Sequence, residues 1–171
     1  MTLCFLGYPD QASARAEEAI ALAQEIAHPF NLAYVLAVAG YTNCFSRLMR
    51  SADKNADMAL KVSAEHGFGL WAAIAKGGQG VSRDRAGYQQ EGITMIREAL
   101  AAMAGMGTSV GLTQYMSSLA EAHLSLGETE NGFEALAEGF DHMNETDERY
   151  CEAELNRVKG ELLLLPGGSD V

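Results

Sequence analysis

The residues with the clearest metal-ligand spacing are Asp53, Asn55 and Asp57, which have the types of the first, third and fifth ligands of a calcium-binding loop. The sixth position of such a loop needs glycine for its sharp turn, and the twelfth needs a glutamate that binds through both oxygens. Met58 and Ala64 occupy those positions here. We therefore expect no calcium site and interpret this segment as the exposed start of a helix.

The segment KGGQG at 76–80 has the glycine content of a phosphate-binding loop, in which Gly-Lys-Ser/Thr ends the loop after a strand. Lys76 instead comes first, inside a stretch of helical periodicity. We expect these glycines to allow close packing between helices, or a local kink, and to bind no phosphate.

The histidines also lack a catalytic or metal-binding pattern. His28, His66, His123 and His142 never stand four positions apart with a glutamate between them, as a zinc-protease helix requires. Serine, histidine and acidic residues all occur, but loose triads arise by chance in a chain of this length. We predict that the protein is not an enzyme and has no catalytic residue, metal ion or cofactor.

Composition narrows the classes of partner. The chain has 171 residues, 48% of them hydrophobic, which is enough to form the core of one domain. It has 12 Lys and Arg against 23 Asp and Glu, and the net charge of -11 opposes binding to nucleic acid or to an anionic membrane. A basic or neutral partner fits this charge better.

The cellular location is predicted from the cysteines and the apolar runs. Cys4, Cys44 and Cys151 are odd in number and far apart, which favours a reducing compartment. The opening residues lack the features of a secretory signal, and the apolar run at 32–41 is shorter than the roughly 20 residues of a membrane helix. We expect a soluble, cytoplasmic protein.

Helical periodicity runs through nearly the whole chain, and prolines occur only at 9, 29 and 166, where a helix would begin or end. The pattern predicts an all-α protein of eight helices in antiparallel pairs, at 9–27, 30–48, 52–66, 69–84, 88–105, 109–126, 128–143 and 147–165.

A pattern of small and apolar residues recurs along the chain. The four copies are Gly7, Ala12, Ala16, Ala19; Ser51, Ala56, Leu60, Ser63; Gly87, Gly92, Ile96, Ala99; and Gly127, Gly132, Leu136, Gly139. Their first members stand at positions 7, 51, 87 and 127, so the interval between copies drifts along the chain. A mean period of about 40 residues predicts a right-handed α-solenoid of helix hairpins with about four repeats. Larger residues at Ala12, Ala56 or Gly132 should overpack a helix contact and cost about 1–3 kcal/mol.

Only positions 1–6 precede Gly7, which leaves room for about half a helix. The first repeat therefore lacks most of its first helix, and we expect its open end to be buried in a longer array or against a second copy. We predict a single domain over 1–165 and a disordered tail at 166–171.

The segment SLAEAHLSLGETENGFEALAEG resembles a tetratricopeptide repeat. The residues at that motif's small and large apolar positions are Leu119, Ala120, His123, Leu126, Gly127, Gly132, Leu136 and Gly139. The segments at 6–34 and 148–164 are similar to the C-terminal repeats of bacterial regulators that join a class III adenylate or guanylate cyclase, or a DNA-binding domain, to a STAND-type ATPase. This resemblance implies that the chain binds or senses, while domains elsewhere in such proteins perform the chemistry.

The inner face of a solenoid is usually formed by the first helix of each pair. Polar and aromatic residues that interrupt the apolar face of those helices are the candidate binding residues: Asn31, Tyr34, Asn43, Trp71, Gln79, Gln114, Tyr115, Ser118, Arg149, Glu152 and Asn156. Trp71 could anchor a partner if exposed, and would otherwise pack between repeats.

Three functions are compatible with these features. We expect a protein interaction or regulatory scaffold module that binds a protein segment or neighbouring domains of a parent regulator. The alternatives are a sensor for a small ligand or peptide in the concave groove, and a module that forms a homodimer through its open N-terminal end.

Overall fold

The computed structural model describes residues 2–45 and 49–165. These ranges contain α-helices and one 3₁₀ turn, with no strand. The α-helices are α1 (Thr2–Phe5), α2 (Pro9–Ile26), α3 (Pro29–Phe45), α4 (Met49–His66), α5 (Gly69–Arg85), α6 (Gln89–Gly105), α7 (Leu112–Leu126), α8 (Thr129–Thr146) and α9 (Glu152–Leu163), and the 3₁₀ turn is Arg149–Cys151.

The eight helices predicted from the sequence are confirmed as α2 to α9, and the protein is all-α. The main differences lie at the boundaries: α4 begins earlier, at Met49, α7 begins later, at Leu112, α8 ends later, at Thr146, and a 3₁₀ turn precedes α9. Within the described ranges, no helix is both long enough and apolar enough to cross a membrane. The predicted end of the second helix at 46–48 and the predicted tail at 166–171 lie outside the described residues.

The helices follow a regular spacing in the chain. The second helix of each pair begins at Pro9, Met49, Gln89 and Thr129, so the starts are equally spaced, and we call this interval one repeat. The predicted drift of the interval between copies is therefore wrong. The error lies in α4, where the predicted copy stands one helical turn too late: by this spacing the counterparts of Gly92 and Ala99 are Ala52 and Ala59, and both are buried.

Turn chemistry explains where several helices end. Gly7, Gly87 and Gly127 follow α1, α5 and α7, and their φ angles of +84°, +90° and +72° lie in the left-handed region that favours glycine. Pro9 begins α2, where its missing N–H would have no helical partner in any case. These short turns force consecutive helices to pack as neighbours.

Contacts between helices are of two kinds. Each helix packs on the next one in the chain, and α3 also contacts α5 while α7 contacts α9. One continuous apolar core runs through these contacts, and its largest fully buried side chains include Leu36, Ile96, Tyr115, Leu136 and Leu155.

The KGGQG segment lies in α5 and serves close packing, as predicted. A side chain at Gly77 would overlap the ring of Tyr115 on α7. A Cβ at Gly80 would lie 2.8 Å from the carbonyl oxygen of Gly92 on α6, and one at Gly92 would lie 2.6 Å from that of Gly80. The backbones of α5 and α6 therefore approach each other at a glycine from each helix.

Replacing Gly92 by alanine should test this close approach. The new Cβ would meet backbone atoms that cannot rotate away, so α5 and α6 must separate, at a cost of about 1–3 kcal/mol in the free energy of unfolding. Gly105→Ala on the same helix is the matched control, because no other group lies within 4 Å of its Cβ position. Urea unfolding of both variants provides the measurement, and equal effects would contradict the packing argument.

Candidate functional site

A cavity of about 880 Å³ lies between α1, the start of α2, α5, α7 and α9. Its lining combines charged, hydrogen-bonding and aromatic side chains. The lining residues are Cys4, Phe5, Gly7, Pro9, Arg85, Gln114, Glu121, Tyr150, Cys151, Ala153, Glu154 and Arg157. We call this cavity the groove.

Helix α1 meets the 3₁₀ turn before α9 beside the groove. The ring of Phe5 on α1 lies 5.5 Å, centroid to centroid, from the ring of Tyr150 in the 3₁₀ turn before α9. Such a tilted aromatic pair is a favourable contact. The groove is thus bounded by the first and last helices and by α5 and α7 between them.

An ion-pair network runs along α9 into the groove. The Arg157 guanidinium donates to Glu154 at 2.6 Å, to Glu161 at 2.6 Å and across to Glu121 of α7 at 2.7 Å. These hydrogen bonds lower the pKa of Glu154 and raise that of Arg157. The network therefore stays charged at neutral pH and holds α9 against α7.

Arg85 contributes a second cation at the end of α5. It donates to the backbone carbonyl of Cys44, and no carboxylate of the described residues lies within 4.0 Å of it. A guanidinium carries five N–H donors. Arg85 therefore keeps donors that a ligand in the groove could accept.

A buried polar pair lies at the base of the groove. The Cys151 thiol donates to the Gln114 side-chain oxygen at 2.7 Å, and the Gln114 amide donates to Ser117 at 3.3 Å. Burial raises the pKa of Cys151 to about 12. The thiol is therefore protonated at neutral pH and is a poor nucleophile.

Tyrosines form the layer beneath this pair. The rings of Tyr41 and Tyr115 lie 5.4 Å apart, and the Tyr115 hydroxyl donates to the Ile74 carbonyl at 3.2 Å. Burial raises the pKa of Tyr41, Tyr115 and Tyr150, so all three remain neutral phenols. This layer joins α3, α5 and α7 and supports the groove from below.

Glu148 fixes the start of α7. Its carboxylate accepts hydrogen bonds from the Gly111 N–H at 3.1 Å, the Thr113 N–H at 3.3 Å and the Thr113 hydroxyl at 2.8 Å. His142 lies 3.7 Å from the same carboxylate. A residue from the turn before α9 therefore caps α7 and sets the position of Gln114.

Asp84 is a buried carboxylate near the end of α5. Burial raises its pKa from 3.8 to about 6, the negative charge of Glu121 adds to the rise, and Arg85 opposes it. The folded protein thus binds this proton more tightly than the unfolded chain does.

The predicted binding residues do not form one site. Tyr34 and Trp71 come together at the starts of α3 and α5, with ring centroids 4.9 Å apart, and Phe30 lies 5.7 Å from Trp71. Asn31 is exposed beside them. We call Phe30, Tyr34, Phe68 and Trp71 the aromatic patch; it lies apart from the residues that line the groove.

Four predicted residues are buried. Asn43, Tyr115 and Ser118 belong to the core, and Gln114 is buried but reaches the groove. Tyr115 and Ser118 therefore offer no surface to a partner, whereas Asn43 lines a second cavity of about 380 Å³ between α2, α3 and α4. The physical reason is that interior helices are covered on both sides, so polar residues on them face neighbouring helices as well as the inner surface.

The remaining predicted residues make local contacts. Gln79 donates to Asp57 at 2.6 Å, and Asn156 donates to the backbone carbonyl of Glu152 at 2.8 Å. Arg149 pairs with Asp147 at 2.5 Å and with Glu152 at 3.5 Å. None of these residues lines the groove.

Sequence reasoning missed Phe5, Arg85, Glu121, Tyr150 and Arg157. The sequence did contain a pattern for the ion-pair network, because Glu154, Arg157 and Glu161 are spaced to share one face of a helix. No sequence pattern near Phe5 or Tyr150 predicts the contact between their rings.

The pentapeptide Gly107-Thr108-Ser109-Val110-Gly111 has the Gly-x-Ser-x-Gly spacing of a nucleophile elbow. That motif requires a turn from a strand into a helix, whereas this one joins α6 to α7. In the described part of the chain, the Ser109 hydroxyl has no hydrogen-bond partner to act as a base.

Metal sites were a separate question. Among the described residues, no three His, Cys, Asp or Glu side chains are grouped so that they could hold a metal ion.

Compared with known protein families, curated proteins and solved structures, the chain matches none of them.

Asp84→Asn should stabilise the protein in a pH-dependent way. Ionisation of the buried carboxylate costs free energy as the pH rises from 3.8 through about 6. The variant should therefore gain on the order of 1–3 kcal/mol at about pH 8 and almost nothing at about pH 4. Denaturant unfolding across this range is the measurement. Asp141→Asn, at an exposed aspartate of α8, controls for the lost charge, and an equal gain at both pH values would contradict the account.

Glu148→Ala should destabilise the start of α7. It removes the acceptor for the Gly111 and Thr113 N–H groups, at a cost of about 1–2 kcal/mol. Hydrogen exchange should become faster at residues 111–115 in this variant but not in Glu145→Ala, which changes an exposed residue of α8. Unchanged exchange at α7 would show that Glu148 is not its cap.

Proposed function

We propose that the chain is a non-enzymatic protein interaction module, built as a right-handed α-solenoid, whose groove binds an extended segment of a partner protein. The equal spacing of the helix starts supports the repeat architecture. Contacts of α3 with α5 and of α7 with α9 support a layer of first helices on one side.

The observation that carries this proposal is the groove itself. Its cavity of about 880 Å³ is lined from six elements, with aromatic rings at Phe5 and Tyr150 and hydrogen-bonding groups at Arg85, Gln114 and Arg157. A peptide offers backbone carbonyl and N–H groups at regular spacing, together with side chains for an aromatic contact. The groove offers hydrogen-bonding side chains for the peptide backbone and aromatic rings for the peptide side chains.

Charge favours a neutral or basic segment. The groove contains Arg85 and Arg157 against Glu121 and Glu154, so its own charge is nearly balanced. The chain as a whole has a net charge of -11, which attracts basic partners and repels acidic ones.

The sequence resemblance supports a regulatory setting. Repeats of this kind in cyclase- and STAND-containing regulators bind or sense, and here we propose the same role in such a regulator or toward its neighbouring domains. This part of the proposal rests on the segments at 6–34 and 148–164 alone.

A second candidate function is a sensor for a small polar ligand. It is favoured by the cavity volume of about 880 Å³, which is within the range of roughly 300–1,000 Å³ that small-molecule sites occupy. A sensor should show a thermal shift with one compound class and no selection of peptides.

The interaction proposal is tested by selecting from a random dodecapeptide phage library on the whole chain. We expect neutral to basic sequences, whose binding to Tyr150→Ala falls at least about tenfold in fluorescence anisotropy, since tyrosines that a partner covers on binding often dominate the affinity. Tyr88→Ala is the matched control, because Tyr88 is an exposed tyrosine at the start of α6 and does not line the groove.

Three results would contradict the proposal: no enrichment of peptides, enrichment of acidic peptides, or selected peptides that bind Tyr150→Ala as tightly as the wild type. In the third case the aromatic patch becomes the alternative site, and Trp71→Ala would identify it.

A further inference from the structure

The second cavity, of about 380 Å³ between α2, α3 and α4, shares no lining residue with the groove. Its volume is at the lower end of the range of roughly 300–1,000 Å³ that small-molecule sites occupy. We call it the α2–α4 cavity. Its lining includes Glu17 and Ile20 from α2, Asn43 from α3, and Lys54 and Met58 from α4.

Asn43 is a buried polar residue in the wall of the α2–α4 cavity. It is 3% exposed, and its Oδ1 is buried without a hydrogen-bond partner. A buried amide oxygen that receives no hydrogen bond costs folding free energy. The described residues therefore place an acceptor at the cavity and supply no donor for it.

A later repeat shows how a side chain at this position is satisfied. His123 stands two repeats after Asn43 and is likewise 3% exposed. Its Nδ1 lies 2.7 Å from Glu128, and its Nε2 lies 3.4 Å from the Arg97 guanidinium. Arg97 stands two repeats after Glu17. Where α6 supplies a donor to the buried side chain, α2 thus supplies a carboxylate, which only accepts.

A ligand ammonium would supply the donor that the described residues lack. Because it carries three N–H groups, it can donate to the Asn43 Oδ1 and to the Glu17 carboxylate together. Glu17 forms no ion pair with a described residue. The net charge of -11 also favours a cationic group. The ammonium would take the place that Arg97 has beside His123.

Lys54 brings a positive charge to the same cavity from α4. No carboxylate of the described residues, Glu17 included, lies within 4.0 Å of its ammonium. Two unpaired opposite charges in one cavity can each pair with a ligand that carries both signs. Two repeats later the signs are reversed, since Arg97 and Glu134 line the equivalent cavity between α6, α7 and α8. The α2–α4 cavity therefore has its own charge pattern.

Ile20 and Met58 add an apolar contact to this pattern. Both are partly buried and line the cavity, one from α2 and one from α4. An α-amino acid carries an ammonium, a carboxylate and a side chain on one carbon, so each of its groups has a counterpart in the wall. We propose that the α2–α4 cavity binds a free α-amino acid with an apolar side chain, such as leucine or methionine. The ammonium lies at Glu17 and Asn43, and the carboxylate lies at Lys54.

The test is isothermal titration calorimetry of the whole chain with L-leucine, L-methionine and two analogues that each lack one charge. 3-Methylbutylamine is leucine without the carboxylate, and 4-methylpentanoate is leucine without the ammonium. We expect leucine or methionine to bind with a dissociation constant of about 1 mM or below. Each analogue should bind at least about tenfold more weakly than leucine, because it leaves one charge of the cavity unpaired.

Two variants assign the charges to their residues. Lys54→Met should weaken leucine binding at least about tenfold and leave binding of 3-methylbutylamine unchanged. Glu17→Gln should weaken leucine binding by a similar factor and leave binding of 4-methylpentanoate unchanged. Lys61→Met and Glu25→Gln are the matched controls, since they change exposed residues of α4 and α2 that do not line the cavity. Both controls should bind leucine like the wild type.

Asn43→Leu replaces the buried amide by an apolar side chain of similar size. Without ligand, this variant should unfold at a higher temperature than the wild type, because an acceptor without a donor is removed. Its leucine binding should weaken at least about tenfold. Leucine binding equal to that of the wild type would overturn the proposal, because Asn43 would then act only in the fold.

The proposal is also overturned if neither amino acid binds at about 10 mM, or if either analogue binds as tightly as leucine. Nitrogen–proton NMR with leucine gives the location. Shift changes should cluster at Glu17, Asn43 and Lys54. Changes that cluster in the groove instead would overturn this proposal and support the small-ligand sensor there. Peptide selection on the groove is independent of all these results, so the two proposals can fail separately.

Discussion

The close approach of helix backbones at small residues is the constraint on which the rest of this structure depends. At the contact between α5 and α6, a side chain at either Gly80 or Gly92 would overlap the opposing backbone. The same spacing brings Ala52 of α4 and Gly132 of α8 against α3 and α9, where Gly40 and Leu162 approach them. Helices held this close keep their relative angles nearly fixed, since interiors are packed too densely to slide.

The angles between the helices determine the shape of the groove. Cys4 and Tyr150 are far apart in the chain, yet the stacking of helices brings α1 beside the 3₁₀ turn before α9. The buried tyrosine layer and the Glu148 cap then fix α7 from two sides. The ion pairs of Arg157 complete the arrangement by tying α9 to α7. A change in any one helix contact would therefore alter the shape of the groove at a distance.

Much of the fold could be predicted, because prolines, glycines and helical periodicity are local signals. The register of the second repeat could not, since Ser51, Ala52, Ala59 and Leu60 all fit a small or apolar class, and only burial distinguishes them. The aromatic residues were predicted on the right helices, but Trp71 pairs with Tyr34 outside the groove. The groove is lined by residues from both ends of the described chain and from the helices between them, so no short segment predicts it.

In the function that we propose, the groove is the surface that binds a partner segment. Balanced charge in the groove and a net charge of -11 agree with binding of neutral or basic segments. The role that we propose for the groove is recognition of such a segment.

The most direct test of this role is a two-dimensional nitrogen–proton NMR titration of the whole chain with its tightest selected peptide. The account predicts that the largest shift changes cluster at the backbone amides of Phe5, Gln114, Tyr150 and Arg157, which line the groove from three sides. Shift changes centred on Tyr34 and Trp71, or spread evenly over the chain, would contradict it.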